Sequence, residues 1–171
     1  MHVASHPLVE LARTAIRRFA VDGVTIEPPT DSLPKRQAGV FVTLHKADGS
    51  LRGCIGTISA TTPSLAQEVI RNAIASANHD PRFAPVRASE CDGLNIHVDI
   101  LSPLVAVADE TELDPRRYGV VVDGGGRRGL LLPDIEEVDT VEMQLSVALQ
   151  KAGIGTKEPY QLFRFEVERL R

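Results

Sequence analysis

Apolar residues recur at helical spacing in three stretches of the chain. The first stretch is residues 5–22, the second runs from a cap at Thr62 to about Asn78, and the third follows Thr140 and ends at Gly153. A threonine before the first turn caps free backbone N–H groups, and a glycine after the last turn is typical of a helix end. The sequence therefore predicts three helices.

Short segments rich in β-branched residues lie between the helices and are bounded by turn residues. A loop with three prolines is predicted over residues 27–37. Asp48-Gly49 and the glycines of 124–126 are typical of tight hairpins and predict that the strands beside them pair antiparallel. The predicted strands are residues 39–46, 51–58, 93–101, 118–122, 127–132 and 162–167. The pattern as a whole indicates an α+β fold.

Two parts of the sequence resemble each other. The run Gly39-Val-Phe-Val, a hairpin, Arg52-Gly53 and a helix is echoed by Gly119-Val-Val-Val, a hairpin, Arg128-Gly129 and a helix. Either the chain contains an old duplication of a strand–hairpin–helix unit, or two ordinary hairpins share the same turn chemistry. The sequence leaves both explanations open.

Composition narrows the classes of function. The 171 residues carry 19 Lys and Arg against 23 Asp and Glu, for a net charge of −4, and aromatic residues make up only 4%. Both values argue against binding nucleic acid through phosphate neutralisation or base stacking. No apolar run reaches the roughly 18 residues of a membrane span, and residues 1–11 show no secretory signal. We therefore expect a cytoplasmic protein that binds neither nucleic acid nor membrane.

The two cysteines, Cys54 and Cys91, match no zinc spacing and no disulfide pattern. We expect the acidic neighbours of Cys91 to raise the pKa of its thiol and leave it inert. His97 and Asp99 alternate on one strand and could share a metal ion, but the sequence offers no third ligand at suitable spacing. We predict neither a metal site nor a cofactor.

Cys54 lies in the first hairpin, where the residue types favour chemistry. If Asp48-Gly49 closes this hairpin, Thr43 faces Cys54 and His45 faces Arg52, and all four side chains share one face. Arg52 would then favour the thiolate form of Cys54. Strand glycines permit a close backbone approach, so Gly53 and Gly56 would expose this segment to a ligand.

A nucleophilic role for Cys54 also requires a base. His45 and His97 lie on the polar sides of their predicted strands, and either could accept the thiol proton. The simpler explanation is that Cys54 is a small apolar residue buried in a sheet. The pattern of residues favours this simpler explanation.

A stiff loop follows the second helix. Its sequence, Asp80-Pro81-Arg82-Phe83, could present Asp80 and Arg82 to a ligand in a cleft. The alternative is a capped helix exit with Phe83 packed inward. Together with Thr43, Arg52, Gly53 and Gly56, these two residues complete the predicted ligand-binding set.

The hexapeptide Leu51-Arg-Gly-Cys-Ile-Gly56 resembles the hallmark of the AMMECR1 family, also called AmmeMemoRadiSam system protein A. The similarity continues over nearly all of the chain from Leu8 onward. It includes the segments Gly39-Val-Phe-Val-Thr-Leu, Asp80-Pro-Arg-Phe, Leu94 to Pro103, Gly125 to Pro133, Lys151-Ala-Gly and Leu162-Phe-Arg-Phe.

The resemblance implies a single domain over residues 1–171 with two lobes. Repeated hairpin and helix units would form a largely antiparallel, barrel-like sheet with flanking helices and a cleft near the hexapeptide. Members of the family accompany Memo-like and radical SAM proteins, which implies that this chain has such partners. We therefore expect an accessory component that binds a small ligand or a partner at residues 51–56.

Two other functions remain open at this stage. One is a Cys54-dependent enzyme that acts on an anionic or carbonyl-containing small molecule. The other is a nucleic-acid binder associated with RNA modification, which the charge balance disfavours. The sequence does not decide whether the protein is an enzyme.

Overall fold

A computed structural model describes residues 5–29 and 35–171. The first four residues and part of the predicted proline-rich loop lie outside this range. The chain divides into two compact units, of which the first runs to Leu101 and also contains Glu168–Arg171, and the second is Ser102–Val167.

The described part of the chain contains three α-helices and eight strands. The helices are α1 (Pro7–Asp22), α2 (Leu65–Asn78) and α3 (Val141–Ala152). Short 3-10 helices cover Ala88–Gly93 and Glu110–Glu112. The strands are β1 (Val40–His45), β2 (Leu51–Gly56), β3 (Asn95–Leu101), β4 (Val105–Ala106), β5 (Gly119–Gly124), β6 (Arg127–Leu131), β7 (Gln161–Phe165) and β8 (Val167–Leu170).

The strands form two four-stranded sheets, so the predicted α+β class is confirmed. The first sheet has the order β2-β1-β3-β8, and the second has the order β4-β7-β5-β6. Both predicted hairpins are present, and β1 and β5 each pair antiparallel with strands on both sides. Between β5 and β6, Gly125 and Gly126 have φ of 59° and 74°, as the tightest hairpin turns require.

Several element boundaries differ from the prediction by one or two residues, and two of the differences affect how the fold is understood. The cap of α2 is Ser64, whose side chain accepts a hydrogen bond from the Gln67 N–H at 3.3 Å, so the predicted cap at Thr62 is wrong. The predicted final strand over 162–167 is two strands, β7 and β8, which belong to different sheets. Hydrophobic alternation continues through this segment and therefore does not reveal the break at Glu166.

Each unit has its own apolar core. In the first unit, the buried stripes of α1 and α2 pack on one face of the sheet, against residues such as Val42, Leu44 and Val98. In the second, α3 packs on β5 and β6 around Val120, Val122 and related residues. Because aromatic residues are few, aliphatic side chains dominate both cores.

The two units share one topology, which supports duplication over shared turn chemistry. In each, a hairpin leads to a helix, and the next strand pairs with the first strand of the hairpin. A Cβ on Gly53 would lie 2.1 Å from the carbonyl oxygen of Ser76 in α2. A Cβ on Gly129 would lie 2.1 Å from the carbonyl oxygen of Ala148 in α3. The same close helix–strand approach therefore occurs twice.

A polar contact is also repeated. The Asn72 side-chain amide donates to the Val40 carbonyl at 2.9 Å in the first unit, and the Gln144 amide donates to the Tyr118 carbonyl at 2.7 Å in the second. In both units a buried helix amide thus binds the backbone near the start of the hairpin.

Over residues 5–29 and 35–171, no helix combines the length and apolar character needed to cross a membrane.

Candidate functional site

The sheet face of the first unit that the helices do not cover carries the candidate site. Thr43 pairs with Cys54 on one side and with His97 on the other, so these three side chains form a row across β2, β1 and β3. All three are half-buried. The predicted common face of Thr43 and Cys54 is therefore present.

The predicted register holds only in the part of the hairpin far from the turn. Pairs from Phe41 with Gly56 to Leu44 with Gly53 follow the prediction, but His45 pairs with Leu51. The predicted pairing of His45 with Arg52 is therefore wrong. A β-bulge inserts one residue into β2 at this point and leaves Arg52 without a partner in β1.

The side chain of Arg52 is buried and fully engaged. Its guanidinium donates to both carboxylate oxygens of Glu90, at 2.9 and 3.2 Å. It also donates to the backbone carbonyls of Ala84, at 2.9 Å, and of Pro85, at 3.4 Å. These bonds hold the loop after α2 against β2, and they direct the charge of Arg52 to Glu90 instead of to a ligand beside Cys54.

Cys54 is held by a side chain and by a loop. Its sulfur lies 3.3 Å from the hydroxyl oxygen of Thr43. Its backbone N–H donates to the Asp80 carboxylate at 2.9 Å. The expected neighbours Thr43 and Cys54 are thus in contact, and the structure adds Asp80 as a partner of the Cys54 backbone.

Arg82 supplies the positive charge beside Cys54. Its Nε and Nη2 atoms donate to the two carboxylate oxygens of Asp80 at 3.0 and 2.8 Å, and Nη2 also lies 3.4 Å from the Cys54 carbonyl oxygen. The Asp80 side chain is 2% exposed, whereas the Arg82 side chain is 55% exposed. A buried carboxylate thus fixes an exposed guanidinium next to the thiol-bearing strand.

The pKa values of this pair are shifted in the directions that keep both groups charged. Hydrogen bonds from Arg82, together with the backbone N–H groups of Cys54 and Arg82, outweigh burial and hold the pKa of Asp80 well below its usual range. The carboxylate of Asp80 in turn raises the pKa of Arg82, and charge on Cys54 adds to this effect. Asp80 and Arg82 are therefore both charged at neutral pH and remain an ion pair.

The two glycines of the hexapeptide have packing roles. Gly53 lies under the Ser76 carbonyl of α2, where no Cβ fits. Gly56 lies under the Phe41 ring, and a Cβ there would approach that ring to 2.2 Å. The expected ligand access at these glycines is therefore taken up by a helix backbone and an aromatic side chain.

The two predicted bases lie next to each other. The ring centroids of His45 and His97 are 5.1 Å apart. His97 is two strands away from Cys54, which is roughly 10 Å across a sheet. The sheet thus brings the histidines together, and Thr43 stands between His97 and the thiol.

A polar seam on α2 was not predicted. Glu68, Asn72 and Ser76 are buried at intervals of four residues and bind the backbone and side chains beside β1 and β2. Asp80 continues the same spacing beyond the end of the helix. The four-residue spacing of these polar residues is visible in the sequence and is the signal that could have revealed them.

Glu68 is the most buried member of this seam. Its carboxylate accepts hydrogen bonds from the hydroxyls of Thr57, Thr61 and Thr62 and from two backbone N–H groups, at 2.6 to 2.9 Å. Burial raises the pKa of Glu68, but these donors outweigh burial and hold the pKa below its usual value. Glu68 therefore fixes the loop that connects β2 to α2.

The remaining candidates take structural positions. Asp99 is buried and accepts hydrogen bonds from Arg169 at 2.8 and 3.1 Å. Burial, with a further contribution from Asp92, raises the pKa of the Cys91 thiol, as expected for an inert cysteine. Within the described ranges, no three His, Cys, Asp or Glu side chains are grouped so that they could hold a metal ion.

Comparisons with known proteins agree with one another. Residues 9–170 match the AMMECR1 family. A Thermotoga maritima protein is 55% identical over 98% of this chain and 98% of its own length. A Clostridium acetobutylicum protein is 44% identical over 95% of this chain, which corresponds to only 35% of that longer protein. A crystal structure of an uncharacterized Pyrococcus horikoshii protein superposes with a TM-score of 0.88 at 35% identity, covering 95% of this chain and 88% of the other.

Proposed function

The chain belongs to the AMMECR1 family, and we propose that it is an accessory component that binds an anionic group at Arg82, beside Cys54. The anionic group belongs to a small ligand or to a partner, and the partners are Memo-like and radical SAM proteins. This proposal keeps the expected location at residues 51–56 and assigns the binding charge to Arg82 instead of Arg52.

The observation that carries the proposal is the fixed, exposed guanidinium of Arg82. Asp80 holds one edge of the guanidinium, and within the described residues the Nη1 atom donates no hydrogen bond to the protein. A guanidinium whose position is fixed in advance loses little entropy when it binds a carboxylate or phosphate. Arg82 is therefore better prepared to receive an anion than a flexible surface lysine or arginine would be.

Two further observations support an accessory role. The site has a thiol and a cation, and Thr43 separates the thiol from His97 in the row across the sheet, so His97 is not positioned as its base. In the Clostridium acetobutylicum relative, the matched region is about a third of a longer chain. The presence of this domain within a longer protein is consistent with a domain that acts together with a second domain.

Substitution of Arg82 tests this proposal. We expect Arg82→Glu to abolish binding of Memo-like and radical SAM proteins, measured by pull-down and calorimetry, because the new carboxylate repels the anionic group. Arg18→Glu is the matched control, since the side chain of Arg18 on α1 is 54% exposed. Cys54→Ser should leave binding intact. Equal binding by wild-type and Arg82→Glu protein would refute the proposal.

A Cys54-dependent enzyme is the second candidate. It is favoured by one observation, the half-buried thiol that contacts Thr43 and lies on the strand that Arg82 touches. In this candidate, Arg82 binds an anionic or carbonyl-containing substrate, the Cys54 thiolate adds to a carbonyl carbon, and the π electrons of that carbonyl move to its oxygen.

Thiol reactivity separates the two candidates. If Cys54 is a nucleophile, iodoacetamide at neutral pH should alkylate it much faster than the buried Cys91, as read by peptide mass spectrometry. Arg82→Gln should slow this reaction, whereas Arg18→Gln should not. A Cys54 thiol that reacts only after the protein unfolds would exclude the enzyme while leaving the binding role intact.

A further inference from the structure

A second concave site lies in the first unit and does not include Cys54 or Arg82. It is a pocket of about 400 Å³ whose lining includes Arg13 of α1, His45 of β1, Asn95 and His97 of β3, and Arg171. These residues come from α1, β1 and β3, and Arg171 directly follows β8. The proposed binding at Arg82 does not use this pocket, although the sequence suggested its two histidines as bases for Cys54.

The two histidines are the central feature of the pocket. Their ring centroids lie 5.1 Å apart with the planes tilted by 52°. The Nδ1 atom of His45 is buried and, within the described residues, has no hydrogen-bond partner. Buried polar atoms of native proteins nearly always have a partner, so this nitrogen is one that a bound group would satisfy.

The charged residues around the pocket determine whether a bound group would be an anion or a cation. Arg13 and Arg171 line it, and no aspartate or glutamate does. Glu10 lies 3.8 Å from Nε of Arg13 and offsets part of the charge of that arginine, whereas Asp99 is bound by Arg169. Two guanidinium groups repel a metal cation and attract an anion.

Most other hydrogen-bonding groups of the lining are already held in place. Arg13 donates through Nη1 to the Leu94 carbonyl at 3.0 Å, and Asn95 lies 3.5 Å from the Lys46 carbonyl. The backbone oxygen of Arg171 accepts from the His6 N–H at 3.4 Å. The pocket is thus built by contacts within the first unit, and both histidines belong to its lining.

We propose that this pocket binds a small oxyanion, with inorganic phosphate or the phosphoryl group of a small molecule as the ligand class. The two arginines supply positive charge, and the two imidazoles supply N–H donors to the oxygen atoms. The site is independent of the proposed function at Arg82, because neither Arg82 nor Cys54 lines it.

The histidines make this binding dependent on pH. Burial lowers the pKa of His97, His45, Arg171 and Arg169 lower it further, and Asp99 partly opposes them. In the empty pocket His97 is therefore neutral at pH 7. A bound oxyanion stabilises the protonated ring, so binding takes up a proton and becomes tighter as the pH falls.

Titration with sulfate and with inorganic phosphate tests the proposal in the full-length protein. Sulfate keeps its charge across this pH range, so any pH dependence of its binding arises in the protein. We expect calorimetry to show tighter sulfate binding at about pH 6 than at about pH 8. Both anions should shift the side-chain resonances of His45 and His97 in NMR spectra.

Histidine variants supply the matched comparison. His97→Gln and His45→Gln should each weaken binding at about pH 6 by about tenfold. The exposed His79→Gln, which lies outside the pocket, should leave binding unchanged. Circular dichroism confirms that each variant is folded. The proposal is overturned if wild-type protein binds neither anion at about pH 6, or if the double variant at His45 and His97 binds both as well as wild type.

Discussion

At the scale of single residues, the structure gives different positions to two arginines that the sequence placed together in the predicted ligand-binding set. Arg52 is part of the hexapeptide, yet its guanidinium is buried against Glu90. Arg82 comes 28 residues after Cys54, and its exposed guanidinium lies at the Cys54 carbonyl. Asp80 decides this outcome, because its buried carboxylate holds both the Cys54 backbone and the Arg82 side chain.

The stability of the protein should therefore depend on Asp80 in a pH-dependent way. Its pKa is lower in the folded protein than in the unfolded chain, so its charge stabilises the fold above the unfolded pKa of about 3.9. This contribution is lost as the pH falls below that value. Asp80→Asn should lower the free energy of unfolding by about 2 kcal/mol at neutral pH.

Urea unfolding at neutral pH and at about pH 3 measures this effect. The difference between wild type and Asp80→Asn should shrink at the acidic pH, because the Asp80 carboxyl of the unfolded chain takes up a proton there while the folded protein keeps it charged. Glu27→Gln is a suitable control because Glu27 is exposed. A difference that stays constant with pH would contradict the assigned role of the Asp80 charge.

At the scale of elements, the packing of α2 on the first hairpin requires a strand position without a side chain. The carbonyl of Ser76 approaches Gly53 so closely that no methyl group fits. The hydroxyl of Ser76 donates to the Val42 carbonyl at 2.7 Å and accepts from the Ile55 N–H at 2.9 Å. The helix therefore packs directly on the strand backbone and forms hydrogen bonds with it.

Replacement of this glycine should be severely destabilising. Gly53→Ala would place a Cβ 2.1 Å from a backbone oxygen, and helix and strand would have to separate. We expect a loss of about 3 kcal/mol in the free energy of unfolding, and a similar loss for Gly129→Ala in the second unit. Gly93→Ala, which meets no atom within 4 Å, is the control for both in thermal unfolding. Near-native unfolding of Gly53→Ala would show that α2 does not pack as described.

At the scale of the whole molecule, the two units have the same topology and different chemistry. The position after Gly53 is Cys54, whereas the position after Gly129 is Leu130. The strand after β3 belongs to the second sheet, and the strand after β7 belongs to the first. Each sheet is therefore completed at its edge by a strand that follows the other unit in the chain.

The last strand contributes an ion pair to the first unit. Arg169 on β8 donates to Asp99, whose side chain is 3% exposed. Arg169→Gln would leave this buried carboxylate without its cation and should cost about 3 kcal/mol.

Arg36→Gln is the comparison, because Arg36 pairs with Glu168 on the same strand while both side chains are about half exposed. Exposed pairs contribute at most about 1 kcal/mol, so this variant should unfold almost like wild type. Chemical denaturation of the two variants under the same conditions measures the difference. Equal losses would show that burial of Asp99 does not decide the strength of the contact.

The sequence by itself determined the local order of the molecule. Periodicity located all three helices, the turn glycines located both hairpins, and Leu51–Gly56 indicated the family. These features depend on neighbours within a few residues, so a linear pattern records them. The same holds for the pairing of Thr43 with Cys54, which follows from counting back from the turn.

Only the tertiary structure decided which side chains meet. The bulge at Arg52 shifts the register near the turn, and the partners of Arg52 lie more than 30 residues further along the chain. Likewise, His45 and His97 meet because β1 and β3 are neighbours, although α2 separates them in the sequence. Ion pairs and pockets arise from contacts between distant segments, and their energy depends on burial, which a linear pattern does not record.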